Sequence, residues 1–393
     1  MIRATKAQTT QFLLQKSGLT STMPSSEVMV RSLVALPVAT AAWPFAMARA
    51  RLADFAPPDL LTPLYQTRRL VQRPGVRNSL HLLHQDDFVT LHIATQRQRR
   101  QFFNAEWLKW EIDGAEIEAL GQTIIEAVGD GEIAIPQLEA TLAPHSHDLT
   151  HTGRSGRAQM TTSSALALQW LTAQGQIVCG QAIPPTDWQA EPATIARTST
   201  WYPQIDLTAD LSEAEAQLQL VRAYLTAYGP VTEADISAWT GFGKSETQRA
   251  VSTLARETTL AMVDGIPGAM LLLKMQADQL KATQPDDAPR IHLLAADDPY
   301  IIAHKASRAR LFAEAGLAPR LSRQVFNSRD QAKPTILLNG YIVGTWEWNR
   351  AEKGDDTLTC SLFSELKEDL ISLLEAELAQ LALFLQATVE QGS

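Results

Sequence analysis

The chain is poor in cysteine, with Cys179 and Cys360 the two among 393 residues. Two distant thiols make neither a disulfide framework nor a zinc ligand set, and each reads as a small buried or half-buried side chain. This usage fits a reducing compartment, so the expected location is the cytoplasm. Long apolar runs are missing as well: none reaches the ~18 residues of a membrane-crossing helix. Residues Met1 to Thr10 lack the apolar stretch of a signal peptide. An excess of positive charge is also absent, since 34 Lys and Arg face 43 Asp and Glu for a net charge of -9. That argues against a protein that coats nucleic acid without specificity, because such binding runs on phosphate neutralisation. A local basic groove on an acidic body remains compatible with it.

The charge is unevenly placed. Positions 68 to 100 carry Arg68, Arg69, Arg73, Arg77, Arg97, Arg99 and Arg100 against Asp86 and Asp87 alone, and acids dominate from Glu106 to Glu139. Ser25-Ser26-Glu27 opens a helix whose apolar face is Val28, Leu33 and Leu36, and Pro37 interrupts it. A second helix is expected from Trp43 to Leu52 and a short third at Pro58-Asp59-Leu60-Leu61. Leu70 to Arg73 and Ser79 to Leu83 read as strands joined by a Pro74-Gly75 turn. Asp86 or Asp87 is the expected cap of the next helix.

Helices followed by a two-stranded hairpin predict a winged helix, and the pattern repeats. The second cycle has helices at 115–128, 136–142 and 161–173 and a strand at 175–180. The third has helices at 212–228, 232–239 and 244–257, then strands at 260–263 and 269–273 around Asp264-Gly265. A linker over 276–289 leads to a strand-rich part with an Asn339-Gly340 hairpin turn and an amphipathic helix over 362–385. The expected class is α+β: tandem winged helices plus a small C-terminal β-barrel-like domain with a closing helix. The expected domains are 1–105, 106–205, 206–280 and 290–393.

Four segments carry a resemblance. They are Arg77-Asn78-Ser79-Leu80-His81; Tyr224 to Asp235 with Trp239-Thr240-Gly241; Leu293 to Ile302; and Pro334 to Gly340 with Val343-Gly344-Thr345-Trp346. In this order the chain resembles the winged-helix DNA glycosylases of the AlkZ type, which excise bulky alkylated or crosslinked bases. The resemblance implies duplex DNA as partner, no cofactor, and a catalytic Gln-apolar-Gln or Gln-apolar-Asp motif before an Ala/Arg-rich helix. Anchored on Ala46 to Leu52, that motif falls on Pro37-Val38-Ala39, and both polar members are gone. Excision of a cationic alkylpurine needs a polar group to position water and stabilise the sugar's developing charge. Losing one costs ~10²–10³ in rate.

Thr40 is the one side-chain hydroxyl in Leu36 to Pro44, and His81 is the other candidate for residual chemistry. The expected DNA contacts are Arg68, Arg69, Arg73, Arg77, Ser79, His81, Arg97, Arg99, Arg100, Arg154 and Arg157, with Lys244 and Arg249 on a recognition-type helix. His145, His147 and His151 have a metal-like spacing but sit in a polar loop, and no metal is expected. The favoured reading is a DNA-binding protein with lost or weak base excision. Two rivals stand beside it: an active glycosylase with a non-standard site, and a sequestering protein whose groove is lined by Trp43, Trp107, Trp110, Trp170, Trp188 and Trp201.

Overall fold

The computed structural model describes residues 1–153, 156–286, 288–351 and 354–390. Helices and small sheets are mixed, as the α+β class requires. The chain packs as two compact units: Met1–Leu33, Ala46–Phe55 and Val221–Ser393 form the first, and Val34–Phe45 and Ala56–Leu220 the second. Long-range pairing ties distant segments together in the first unit: strand Ile2–Ala4 runs parallel to Thr258–Val263, which pairs antiparallel with Ala269–Leu273. No local pattern announces a partner so far along the chain.

In the first unit, Thr5 and Gln8 form a capping box that starts helix Lys6–Lys16. Leu13 and Leu14 of that helix share a buried cluster with Tyr300, Ile301, Leu311 and Phe312. A second capping box, Thr232 with Asp235, starts helix Glu233–Thr240, and Gly241 ends it at φ 74°. Five strands form one sheet in the order Ile291–Leu294, Thr335–Leu338, Tyr341–Asn349, Asp356–Leu362 and Ala387–Val389. Its two edge strands do not pair with each other among the described residues, so the sheet is open where a small barrel was expected. The closing helix is Glu368–Leu385. It begins later than expected because Asp356–Leu362 pairs with Tyr341–Asn349 and buries Leu358.

Among the described residues the second unit holds three small sheets. One has Leu36–Pro37, Leu80–His84 and Leu70–Pro74 in that order; another has Glu132–Ala134, Thr194–Arg197 and Ile177–Cys179. Asp148–Thr152 and Ala158–Thr162 make a separate hairpin. Its second strand absorbs Thr161 and Thr162, which were expected to be helical, and the Thr162 side chain caps helix Ser163–Ala173 instead. Helix Gly114–Val128, capped by Asp113, buries Ile117, Leu120, Ile124 and Val128 along one stripe, in a cluster with Leu166 and Leu171. Among the described residues no helix is long and apolar enough to cross a membrane.

One ion pair locks the first unit. Arg51 and Asp298 have fully buried side chains, and the guanidinium donates to both carboxylate oxygens at 2.8 and 2.7 Å. Arg51 also donates to the carbonyls of Ser17 at 2.8 Å and Met47 at 3.1 Å, while Asp298 accepts from Tyr300 N at 2.9 Å. Removing one partner leaves a buried unpaired charge. Asp298→Ala is expected to destabilise the first unit by about 3–5 kcal/mol, and Arg51→Met with Asp298→Leu by less. Denaturant midpoints of the three proteins check this.

Candidate functional site

Leu36–Val38, where the resemblance places the catalytic motif, starts as an edge strand. Ser25 caps helix Ser26–Ser32 by accepting from Val28 N at 3.2 Å, and Val34, at φ 66°, turns the chain. Leu36 then pairs with Leu82 and Pro37 with His81, and Val38 N donates to Leu80 O at 2.9 Å. Pro37 therefore sits in an edge strand, where its missing N–H is tolerated, and does not end a helix as the sequence suggested. Strand alternation puts Leu36 and Val38 on one face and Pro37 on the other.

Leu36 and Val38 are buried on one face of this strand, and Pro37 on the other is half-buried. Val38 borders a cavity lined by Pro44, Phe45, Tyr65, Gln72 and Trp188, with room for ≈ 20 Å³, about one water molecule. A base does not fit there. Burial, and then the neighbouring Cys179, Glu132 and Glu191, raise the Tyr65 phenol above its usual range. On the opposite face Pro37 lies beside His81, which in turn pairs with Arg73. What stays open is the turn after the strand: Ala39 and Thr40 are exposed, and Thr40 O accepts from Trp43 N at 3.3 Å. Ala41 N donates to the Glu191 carboxylate at 2.9 Å.

Glu191 was missed by sequence reasoning. It lies 150 positions from Ala41, in the loop joining Ile177–Cys179 to Thr194–Arg197. That loop is fastened at both ends by Gly180 N to Thr194 O at 2.8 Å and Ala193 N to Gln181 O at 2.9 Å. Trp188, Ala190 and Pro192 line the cavity behind Val38, while Glu191 between the last two is exposed. A proline-rich loop with two acids, Asp187 and Glu191, carries no signal that would have singled out the second.

The basic stretch splits into an outer and an inner set. Arg69, Arg77, Ser79, Arg97 and Arg100 are exposed. Arg77 and Asn78, both at φ 55°, form the hairpin tip. Arg97 and Arg100 share a face of helix Gln96–Trp110. Arg68 is half-buried over the Trp201 ring at 4.5 Å. Arg73 and Arg99 are 0 % and 1 % exposed and leave the set of expected DNA contacts. Arg73 stacks on Phe88 at 4.2 Å and donates to Ala173 O at 3.3 Å. Both guanidinium groups reach His92 Nδ1 at 3.2 Å. Burial and then the neighbouring Arg99 push Arg73 well below its usual range.

His81 is also an interior residue, 4 % exposed, with Nδ1 donating to Ser79 O at 2.7 Å. A Cβ on Gly75 would lie 2.9 Å from His81 Nδ1, so glycine is needed for this approach. Arg154 lies outside the described residues, and Arg157 is exposed. Lys244 and Arg249 are exposed on helix Lys244–Thr253 of the first unit. His147 faces Glu116 at 3.4 Å and His151 packs on Trp110 at 6.0 Å. The described residues hold no metal-ready cluster. Trp110, Trp188 and Trp201 are buried, and Trp107 and Trp170 pack on the helical core, so these five do not line an open groove.

Two histidines of this unit are kept neutral. Burial lowers His81 to about 4. Burial, then Arg73 and Arg99, lower His92 to about 2. A folded value below the unfolded one means the unfolded chain takes up protons first as pH falls. The stabilisation from neutral His81 is therefore complete above pH 6.5 and is lost as pH drops towards 4. Moving from pH 7 to pH 5 is expected to cost about 2 kcal/mol at His81. His81→Gln should lose that share of the pH dependence, as read in urea titrations at both values.

Comparison with known proteins follows the same lines. The interstrand DNA cross-link repair glycosylase of Streptomyces sahachiroi is 26% identical over 171 residues, covering 43% of this chain and 42% of that protein. The solved structure of Streptomyces sahachiroi DNA glycosylase AlkZ shares the fold with TM-score 0.75 at 18% identity, over 100% of both chains. The family model described as DNA glycosylase AlkZ-like matches residues 30–384. With nearly the whole chain matched, this protein belongs to the AlkZ-like DNA glycosylase family.

Proposed function

We propose that this protein binds duplex DNA carrying bulky or cationic alkylated bases and removes the labile ones slowly, as a DNA-repair protein with a weakened site. The observation that carries the reading is the match over residues 30–384 beside an open Ala39–Thr40 turn without the family's polar pair. A cationic alkylpurine leaves as a neutral base, so it needs little help in departing. The relative named for interstrand cross-link repair extends the substrate class to crosslinked purines.

The hairpin Leu70–His84 and helix Gln96–Trp110 act as the wing and flank of a winged helix. Arg69, Arg77, Arg97 and Arg100 are the phosphate contacts on this unit. Lys244 and Arg249 play the matching part on helix Lys244–Thr253, where exposed polar residues open the helix. Acidic charge elsewhere on the chain keeps this contact local and strongly dependent on salt.

The test is binding to plain and 7-alkylguanine duplexes across salt concentrations, with abasic sites scored on the second. The expected result is salt-dependent binding and slow abasic product. No binding at low salt, or binding indifferent to salt, overturns the reading. Arg77→Ala and Arg100→Ala should each weaken binding on every sequence and reduce the slope of log affinity against log salt by about 0.9.

A further inference from the structure

Resting on the excision reading above, we infer that Glu191 is the catalytic carboxylate of this protein, standing in for the polar pair lost at Pro37 and Ala39. The segment itself has nothing else to offer. Pro37 is set against His81, Val38 faces a cavity of ≈ 20 Å³, and Ala39 bears a methyl group. Thr40 brings a hydroxyl, which donates or accepts a hydrogen bond but carries no charge. The open turn does present one carboxylate, because Ala41 N holds one oxygen of Glu191 at 2.9 Å.

The geometry leaves that group usable. The bond to Ala41 N engages Oε1, and Oε2 has no hydrogen-bond partner among the described residues. The loop is anchored on either side of Glu191 by Ala190 and Pro192, which line the cavity behind Val38. The carboxylate is thus positioned by the packing of its two neighbours and by a backbone amide, on a residue that is exposed. A positioned carboxylate meets both demands of glycosidic cleavage, since it stabilises an oxocarbenium-like sugar and accepts a proton from water.

The step balances as follows. The bond from C1′ to the base nitrogen breaks, and its electron pair neutralises the cationic base. The water oxygen bonds to C1′, and its proton passes to Glu191 Oε2 and then to solvent. The products are the free neutral base, an abasic deoxyribose and one proton.

Glu191→Gln keeps an oxygen for Ala41 N and removes the charge. On 7-alkylguanine duplexes the single-turnover rate should fall ~10²–10³-fold, with DNA affinity unchanged or tighter because a negative group near phosphate is gone. Adding Ala39→Gln to this variant should recover at least about tenfold of the rate, since it restores a polar group at the family's own position. A variant that merely lost a loop contact would show weaker binding and no such rescue, which overturns the assignment. Wild-type excision with Glu191→Gln within about threefold of it also overturns the assignment and leaves the proposed function standing. Absence of any abasic product from the wild type defeats both.

Discussion

The backbone pairing of Leu36–Pro37 with Leu80–His84 is the constraint on which the candidate site depends. It sets Leu36 opposite Leu82 and Pro37 opposite His81. Side chains alternate along a strand, so a slip of one residue would exchange the faces of Pro37 and Val38. The cavity-facing Val38 and the buried Leu36 prevent that slip, because the exchange would put Pro37 in an apolar wall and Val38 beside His81. The register therefore ends the covered part of the segment at Val38, and the turn that follows is the first backbone open to solvent. The turn at Ala39–Ala41 is held at its start by this pairing and at Ala41 by the bond from its N–H to the Glu191 carboxylate.

The inner arginines show how the same unit tolerates charge. Arg73 and Arg99 meet at His92 with no carboxylate bonded to either among the described residues. Burying two like charges is costly, and one orphan nitrogen remains on each, Arg73 Nη1 and Arg99 Nε. Carbonyl acceptors, the Phe88 ring and a neutral histidine offset part of that cost. His92 has to stay neutral to accept from them. The depressed value of His92 and the burial of the arginines are one arrangement seen from two sides.

The sequence made the local elements legible. The hairpin at 70–84 and most helices followed from turn residues and apolar spacing, which act within a few positions. The expected Asp86 or Asp87 cap, by contrast, gives way to the His84 side chain accepting from Asp86 N, and Asp87 starts Phe88–Ala94 with no side-chain cap bond. Long-range pairing was hidden: Ile2–Ala4 finds its partner at Ala261 to Val263, and Leu36–Pro37 reads as a helix end until Leu80–His84 lies beside it. Composition also misled at the basic stretch. Seven arginines in a row of positions look like one surface, yet Arg73 sits on the inward face of its strand and Arg99 points away from the Arg97 and Arg100 face of its helix. The absence of polar side chains at Pro37 and Ala39 was visible because it is local. Glu191 was not, because only the folded loop brings a residue so distant to Ala41.

A site of this kind changes where selectivity comes from. A glycosylase with a strong catalytic group has to exclude normal bases by the fit of its pocket. Here the space behind the motif holds about one water, and under the proposed function the catalytic help comes from a single exposed carboxylate in place of a polar pair inside a pocket. An ordinary purine would leave with a poorly stabilised negative charge, whereas an N7-alkylated one leaves neutral. Weak assistance is enough for the second and far too little for the first. Under the proposed function, discrimination rests on the leaving group itself, and the arginines of the wing and flank serve to hold any duplex long enough for a labile bond to break. A protein built this way tolerates bulky adducts because no tight pocket has to enclose them.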